Sequence, residues 1–245
     1  IFGMWLGDGQ QNGKGFASAD TELVKEWVKY TDTIGMEVSH HRNSNGHEGY
    51  QYGIRRRGAT NGTNGLIAVG HSDHSSKTCP GCLTSSKSHP ACDWIYEEKD
   101  NSHNRKYDGF TIEGTPRNDL NPFVQILKTN NLYKNKHVPE VYMINDIETR
   151  LQVLAGLIDT DGSLKRNDKE SAQTFEISQG INTHGHIIDA AEYIAKSLGF
   201  KTVISVSDNG VSIMKTVSIN GDISKIPTRV PRKQSNKTSC RYSMD

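Results

Sequence analysis

Leu154-Ala155-Gly156-Leu157-Ile158-Asp159-Thr160-Asp161-Gly162 has a degenerate copy at the start of the chain, Ile1-Phe2-Gly3-Met4-Trp5-Leu6-Gly7-Asp8-Gly9. At a constant offset of 153, Gly3 matches Gly156, Asp8 matches Asp161 and Gly9 matches Gly162. The remaining positions are mostly apolar or small, so each copy reads as a buried helix with a carboxylate in its last turn. Gly3 and Gly7 are four apart, as are Gly156 and Thr160. Small residues at that spacing share one helical face and let two backbones approach closely. Gly9 and Gly162 suit a left-handed position just past a helix end.

Both acids then lie where the helix dipole is negative, an unfavourable placement of about 0.3–1 kcal/mol each. Two carboxylates brought together repel, and one pKa rises unless a cation intervenes. A single such segment reads equally well as a buried helix whose Asp begins a turn. Two copies point instead to a divalent cation held between Asp8 and Asp161. All-oxygen ligands with water favour Mg²⁺, with Mn²⁺ or Ca²⁺ as substitutes.

The repeat runs on past the motif. After a polar turn, strand-like pieces follow at Gly15–Ala19 and Thr174–Ser178, and then helical patterns. Val24, Trp27, Val28, Thr31 and Ile34 precede Gly35, and Ile187, Ile188, Ala191, Ile194 and Leu198 precede Gly199. Further strands are expected at Met36–Val38 with Tyr50–Arg57, and at Phe200–Val206 with Val211–Ile219. In the last of these, Val211, Ile213, Val217 and Ile219 share one side. Short helical segments with Pro close each half, at Pro122–Leu132 and Ile223–Ile226. Strands of period two, with one face covered, belong in antiparallel sheets.

The Leu154–Gly162 segment is one letter from the LAGLIDADG signature, and Gly3–Gly9 resembles the degenerate first copy found in intein-encoded, DOD-type homing endonucleases. The resemblance covers residues 1–66 and 120–245. It implies an α/β (α+β) fold of two pseudo-symmetric αββαββα halves, residues 1–140 and 141–245. These would pack through their motif helices, with antiparallel sheets forming a DNA-binding saddle. It also implies a monomeric, site-specific endonuclease that hydrolyses phosphodiesters of double-stranded DNA at a long recognition site, within a larger intein-containing precursor. In the family a lysine approaches the active centre in each half. The motif match carries that role to Lys136, with Lys134 as competitor, and to Lys233, with Arg232 as competitor. A lysine beside an activated water can orient it and stabilise charge on a phosphate.

On Tyr50–Arg57, Gln51, Gly53, Arg55 and Arg57 share a face that could follow DNA, since a two-stranded ribbon fits the major groove. Lys201, Lys215 and Arg232 are further DNA-contact candidates, with Ser212, Thr216 and Ser218 nearby. Overall charge does not single out a nucleic-acid binder: 29 Lys and Arg face 28 acids, a net of +1. Any basic surface must come from segregating charge onto one face.

Residues 67–119 match nothing in the second half. Cys79-Pro80-Gly81-Cys82, followed after six residues by His89-Pro90-Ala91-Cys92, offers Cys79, Cys82, His89 and Cys92 as structural Zn²⁺ ligands, with His71 or His74 as alternatives. A polar insert of this kind has little apolar surface with which to fold alone, and a metal could hold it together. Three clustered cysteines and one distant one do not form a secreted disulfide framework. The hydrophobic fraction of 33% and mean hydropathy of −0.66 point to long polar loops. With no membrane-length apolar run and no signal peptide, an intracellular location is expected, nuclear in a eukaryotic host and cytoplasmic otherwise. The rival expectations are a non-cleaving nucleic-acid-binding protein of the same fold, acting as a maturase or regulator, and a zinc-stabilised interaction domain.

Overall fold

The computed structural model describes residues 1–13, 15–42, 50–56, 65–66, 121–166, 173–208 and 210–235. The proposed zinc ligands Cys79, Cys82, His89 and Cys92, together with His71, His74 and Arg57, lie outside these residues. The fold is α+β with two antiparallel four-stranded sheets. Two compact units are formed, one by Ile1–Asp8 with Lys136–Asp245 and one by Gly9–Asn135.

The first unit holds α1 (Phe2–Asp8), α4 (Glu140–Met143), α5 (Ile147–Asp161), α6 (Ile181–Ser197) and the strands β5 (Gly162–Arg166), β6 (Gln173–Gly180), β7 (Lys201–Asp208) and β8 (Ile213–Asn220). Both motif copies are helical, and each helix ends on its Asp. The second motif is only the final part of a 15-residue helix. Asp146 caps the start of that helix, its carboxylate accepting from the Thr149 amide at 2.8 Å. Val153 through Asp159 are all buried, so this part of α5 is enclosed on every side.

The two motif helices meet at their glycines. A Cβ on Gly156 would sit 2.6 Å from the Met4 amide nitrogen and 2.9 Å from the Gly3 Cα. One on Gly3 would sit 2.2 Å from the Val153 carbonyl oxygen. Backbone therefore touches backbone, and no side chain fits between. Opposite Gly7 lies Thr160, whose hydroxyl donates back to the Gly156 carbonyl at 2.9 Å and so keeps its polar atom satisfied within the helix.

The sheet of this unit runs β5-β6-β8-β7. Phe175, Ile177, Val217 and Ile219 point into the core against Ile187, Ile188, Ala191 and Ile194 of α6. Three local expectations are corrected. The segment after Asp161 is a strand, not a turn, with Gly162 paired to Ile177. Gly162 is extended (φ −89°), and Gly9 is absent from the positive-φ residues, so neither is a left-handed cap. Gly162 is needed for space, since a Cβ would lie 2.7 Å from the Ile158 Cα. Val211 precedes β8 and is 94% exposed, so the buried alternation begins nearer Val217.

The second unit holds β1 (Gly15–Ala17), α2 (Thr21–Thr33), β2 (Met36–Arg42), β3 (Tyr50–Arg56), β4 (Gly65–Leu66) and α3 (Pro122–Thr129). Its sheet runs β1-β3-β2-β4. The β1-β3-β2 part repeats β6-β8-β7, and a single bridge between Gly9 and Phe16 stands where the other half has β5. Helix α2 buries Leu23, Val24, Trp27, Val28 and Thr31. Trp27 stacks on Phe16 at 5.2 Å and meets the edge of Phe123 at 5.4 Å. Asn121 caps α3 by accepting from the Phe123 amide at 3.0 Å, and Pro122 occupies the first turn. Gly35, just past α2, has φ 71°, which only glycine adopts without strain.

Close helix contact and backbone strain should separate in two substitutions measured by urea unfolding. Gly156→Ala should cost about 3 kcal/mol or more, because the clashing atoms belong to the main chain and cannot rotate away. Gly35→Ala meets nothing within 4 Å and should cost only the about 1–2 kcal/mol of a left-handed Ala.

Candidate active site

The close approach at Gly3 and Gly156 brings the C-terminal ends of α1 and α5 together in one unit. A Cβ on Gly7 would lie 2.8 Å from a carboxylate oxygen of Asp161. Asp8 and Asp161 both act electrostatically on the ammonium of Lys136. The two acids of the repeat thus face one lysine. Among the described residues no third His, Cys, Asp or Glu joins them to form a metal-binding cluster.

Both lysines sit at helix C-termini. The Lys136 ammonium donates to the Gly7 carbonyl at 2.7 Å and lies 5.6 Å from the Trp5 ring centre. Lys233 donates to the carbonyls of Ile158 (3.0 Å), Asp159 (2.6 Å) and Thr160 (3.0 Å). Gly7 and Thr160 are equivalent positions of the repeat, so the lysines take related places. Each puts a cation against carbonyls at the negative end of its helix dipole. Their competitors do neither. Lys134 lies over the Tyr133 ring at 5.7 Å, and Arg232 is exposed while Lys233 is buried.

Burial pushes the Lys136 pKa down, and the two nearby carboxylates oppose that shift. Burial pushes Asp161 up, against the pull of Lys136 and Lys233 and of a 2.6 Å hydrogen bond from the Gln179 amide. The ammonium groups therefore do not fully offset the desolvation of Asp161.

Sequence reasoning missed three contributors. Asp159, 0% exposed, accepts from the Arg229 amide at 3.0 and 2.9 Å and from the Val230 amide at 3.2 Å. It tethers the loop that delivers Lys233. Its place inside the quoted motif was visible, but its partners lie 70 residues on. Gln179 closes β6 beside Asp161, and His186 of α6 bonds the Lys136 carbonyl at 2.6 Å. No local pattern marks either.

Among the expected DNA contacts, Gln51 is exposed on β3, Arg55 stands across from the buried Glu37 in the β2–β3 register, and Lys201 is exposed at the start of β7. Lys215 is ion-paired with Asp189 on α6.

Asp159→Ala should cost about 2–4 kcal/mol in chemical unfolding, since it strands the buried amides of Arg229 and Val230 without an acceptor. The Asp161 carboxyl gives a pH signature. A folded-state pKa raised above its ordinary value of 3.8 contributes stability at lower pH and loses it as pH rises through the folded value. Without divalent cations, Asp161→Asn should therefore be at least as stable as the parent at neutral pH. That advantage should vanish as pH falls towards 3.8, read as Tm against pH.

Residues 137–236 match the family model described as homing endonuclease. A comparison with curated proteins gives no match. The matched segment contains α5 with Asp159 and Asp161, Gln179 on β6, and the loop carrying Lys233. Over residues 137–236 the chain is similar to the homing endonuclease family.

Proposed function

We propose that the chain is a LAGLIDADG-type homing endonuclease, carried by an intein, that cuts double-stranded DNA at a long recognition site by metal-dependent phosphodiester hydrolysis. The observation that carries this reading is the convergence of Asp8, Asp161 and Lys136 at the touching ends of the two motif helices. The family match over residues 137–236 supports a nuclease.

The residues fit a hard divalent cation. Asp8 and Asp161 supply oxygen donors alone, and Mg²⁺ commonly binds through one or two carboxylates, with water and substrate phosphate completing its shell. Burial raises Asp161 despite Lys136 and Lys233, and a cation between the carboxylates would oppose that shift. Asp8 and Asp161 would hold the ion, with Mn²⁺ as a substitute. When bound, it supplies an activated water and Lewis-acid stabilisation of phosphate oxygens. Gln179 orients the Asp161 carboxylate through its amide. The lysines add positive charge where a pentavalent phosphorus would gather negative charge. In the hydrolysis a water oxygen bonds to phosphorus as the bond to the 3′ oxygen breaks, and the departing oxygen takes up a proton. Gln51, Arg55, Lys201 and Arg232 are the proposed DNA contacts, and their phosphate pairing would make binding fall steeply with salt.

Two measurements test the reading. Mg²⁺ should raise the Tm of the parent by mass action on the folded state, and this rise should be lost in Asp8→Asn and in Asp161→Asn. A plasmid carrying the joined flanks of the coding element should be cut by the parent with Mg²⁺ and by neither variant. Cutting that survives in both variants, or tight binding of the plasmid without strand breaks, would refute the proposal. The second result favours a maturase-like or regulatory role.

A further inference from the structure

Each of the two buried lysines is held twice, by its ammonium and by its own main-chain carbonyl. The Lys233 carbonyl accepts from Thr228 Oγ1 at 3.0 Å, five positions away in the same loop. The Lys136 carbonyl has no amide donor among the described residues. Its donor is the imidazole of His186, at 2.6 Å and 50 positions away on α6. A carbonyl only accepts, so Nε2 of His186 carries the hydrogen. It does so in one neutral tautomer and in the imidazolium alike, and the bond needs no particular charge on the ring.

Helix α6 is broken at His184 (φ −134°, ψ 18°), and His186 stands in the opening turn of the longer part that follows. Lys136 is the first residue of the long segment that completes its unit. From there its stem reaches the Gly7 carbonyl at the end of α1, with the ammonium in the field of Asp8 and Asp161. A four-carbon stem is flexible, so a lysine fixed at one end alone does not define where its charge stands.

We propose, resting on the nuclease reading above, that His186 is a positioning residue for the cleavage reaction. By holding the Lys136 carbonyl it sets where the Lys136 ammonium stands relative to Asp8, Asp161 and the phosphate of bound DNA. His186 is itself exposed, so water can replace its bond with little loss of stability. Placement is what would be lost, and a displacement of about 1 Å can cost about 100-fold in rate.

The test compares His186→Phe, which keeps a ring but loses the donor, with His186→Gln, which keeps an N–H donor, in the full chain. His186→Phe should hold its Tm within a few degrees and bind the joined-flank plasmid as the parent does. Its single-turnover cutting with Mg²⁺ should be about 10- to 100-fold slower. His186→Gln should recover most of that rate. In a Lys136→Met background, His186→Phe should cost nothing further, because its effect passes through the lysine. NMR of lysine-labelled protein gives a readout independent of cutting. The Lys136 ε-methylene signal, under the influence of the Trp5 ring, should move towards that of a free lysine in His186→Phe and return in His186→Gln. Parental cutting by His186→Phe, the same fold-loss with and without Lys136, or an unmoved Lys136 signal would overturn the proposal. A large Tm loss in both His186 variants would make the role structural and overturn it too. A parent that cuts no DNA sinks the nuclease reading alone, and the Lys136 signal then still decides whether His186 positions the lysine.

Discussion

Direct contact between the main chains of α1 and α5 is the constraint on which the rest of this site depends. Gly3 and Gly156 leave no room for a methyl group between the helices. Any larger residue would push the helix ends apart, and with them Asp8 and Asp161. The same contact puts helix ends with unsatisfied carbonyls, and two carboxylates, in one small volume. Negative partial and formal charge accumulates there, and the fold answers with two buried lysines. The compensation is incomplete, because burial still raises Asp161 and lowers Lys136. A site left short of positive charge is suited to a cation and to a substrate that brings one with it.

The second copy of the motif is the more heavily built. Helix α5 has a capped start, a strand leading directly out of its end, and a loop fastened to it by Asp159. After α1 a single bridge stands in place of the following strand. Duplicated halves need not carry equal loads. Once one copy holds the shared helix pair in place, the other can lose supporting contacts without losing the carboxylate that its helix presents.

Much of this was legible from residue order. The offset of 153 paired Asp8 with Asp161, and the glycine spacing anticipated the helix contact that Gly3 and Gly156 make. Helical periodicity located α2 and the central part of α6, and the glycines after them mark where each helix stops. The errors were local as well. Gly162 looked like a left-handed cap because glycine is common there, whereas here it avoids the Ile158 main chain. Val211 matched an alternating pattern that the sheet does not extend to reach.

The sequence by itself determined the duplication, the helices that end in acids, the small residues that let them touch and the antiparallel character of the strands. Those are properties of sterics and of periodicity over a few residues. Only the tertiary structure decided which basic residue of each competing pair turns inward, that Asp159 grips Arg229 and Val230, and that Gln179 and His186 join the site. The Lys136–Gly7 and Lys233–Asp159 contacts span 129 and 74 residues. Hydrogen bonds over such separations depend on how whole elements pack, which no local pattern of residues records.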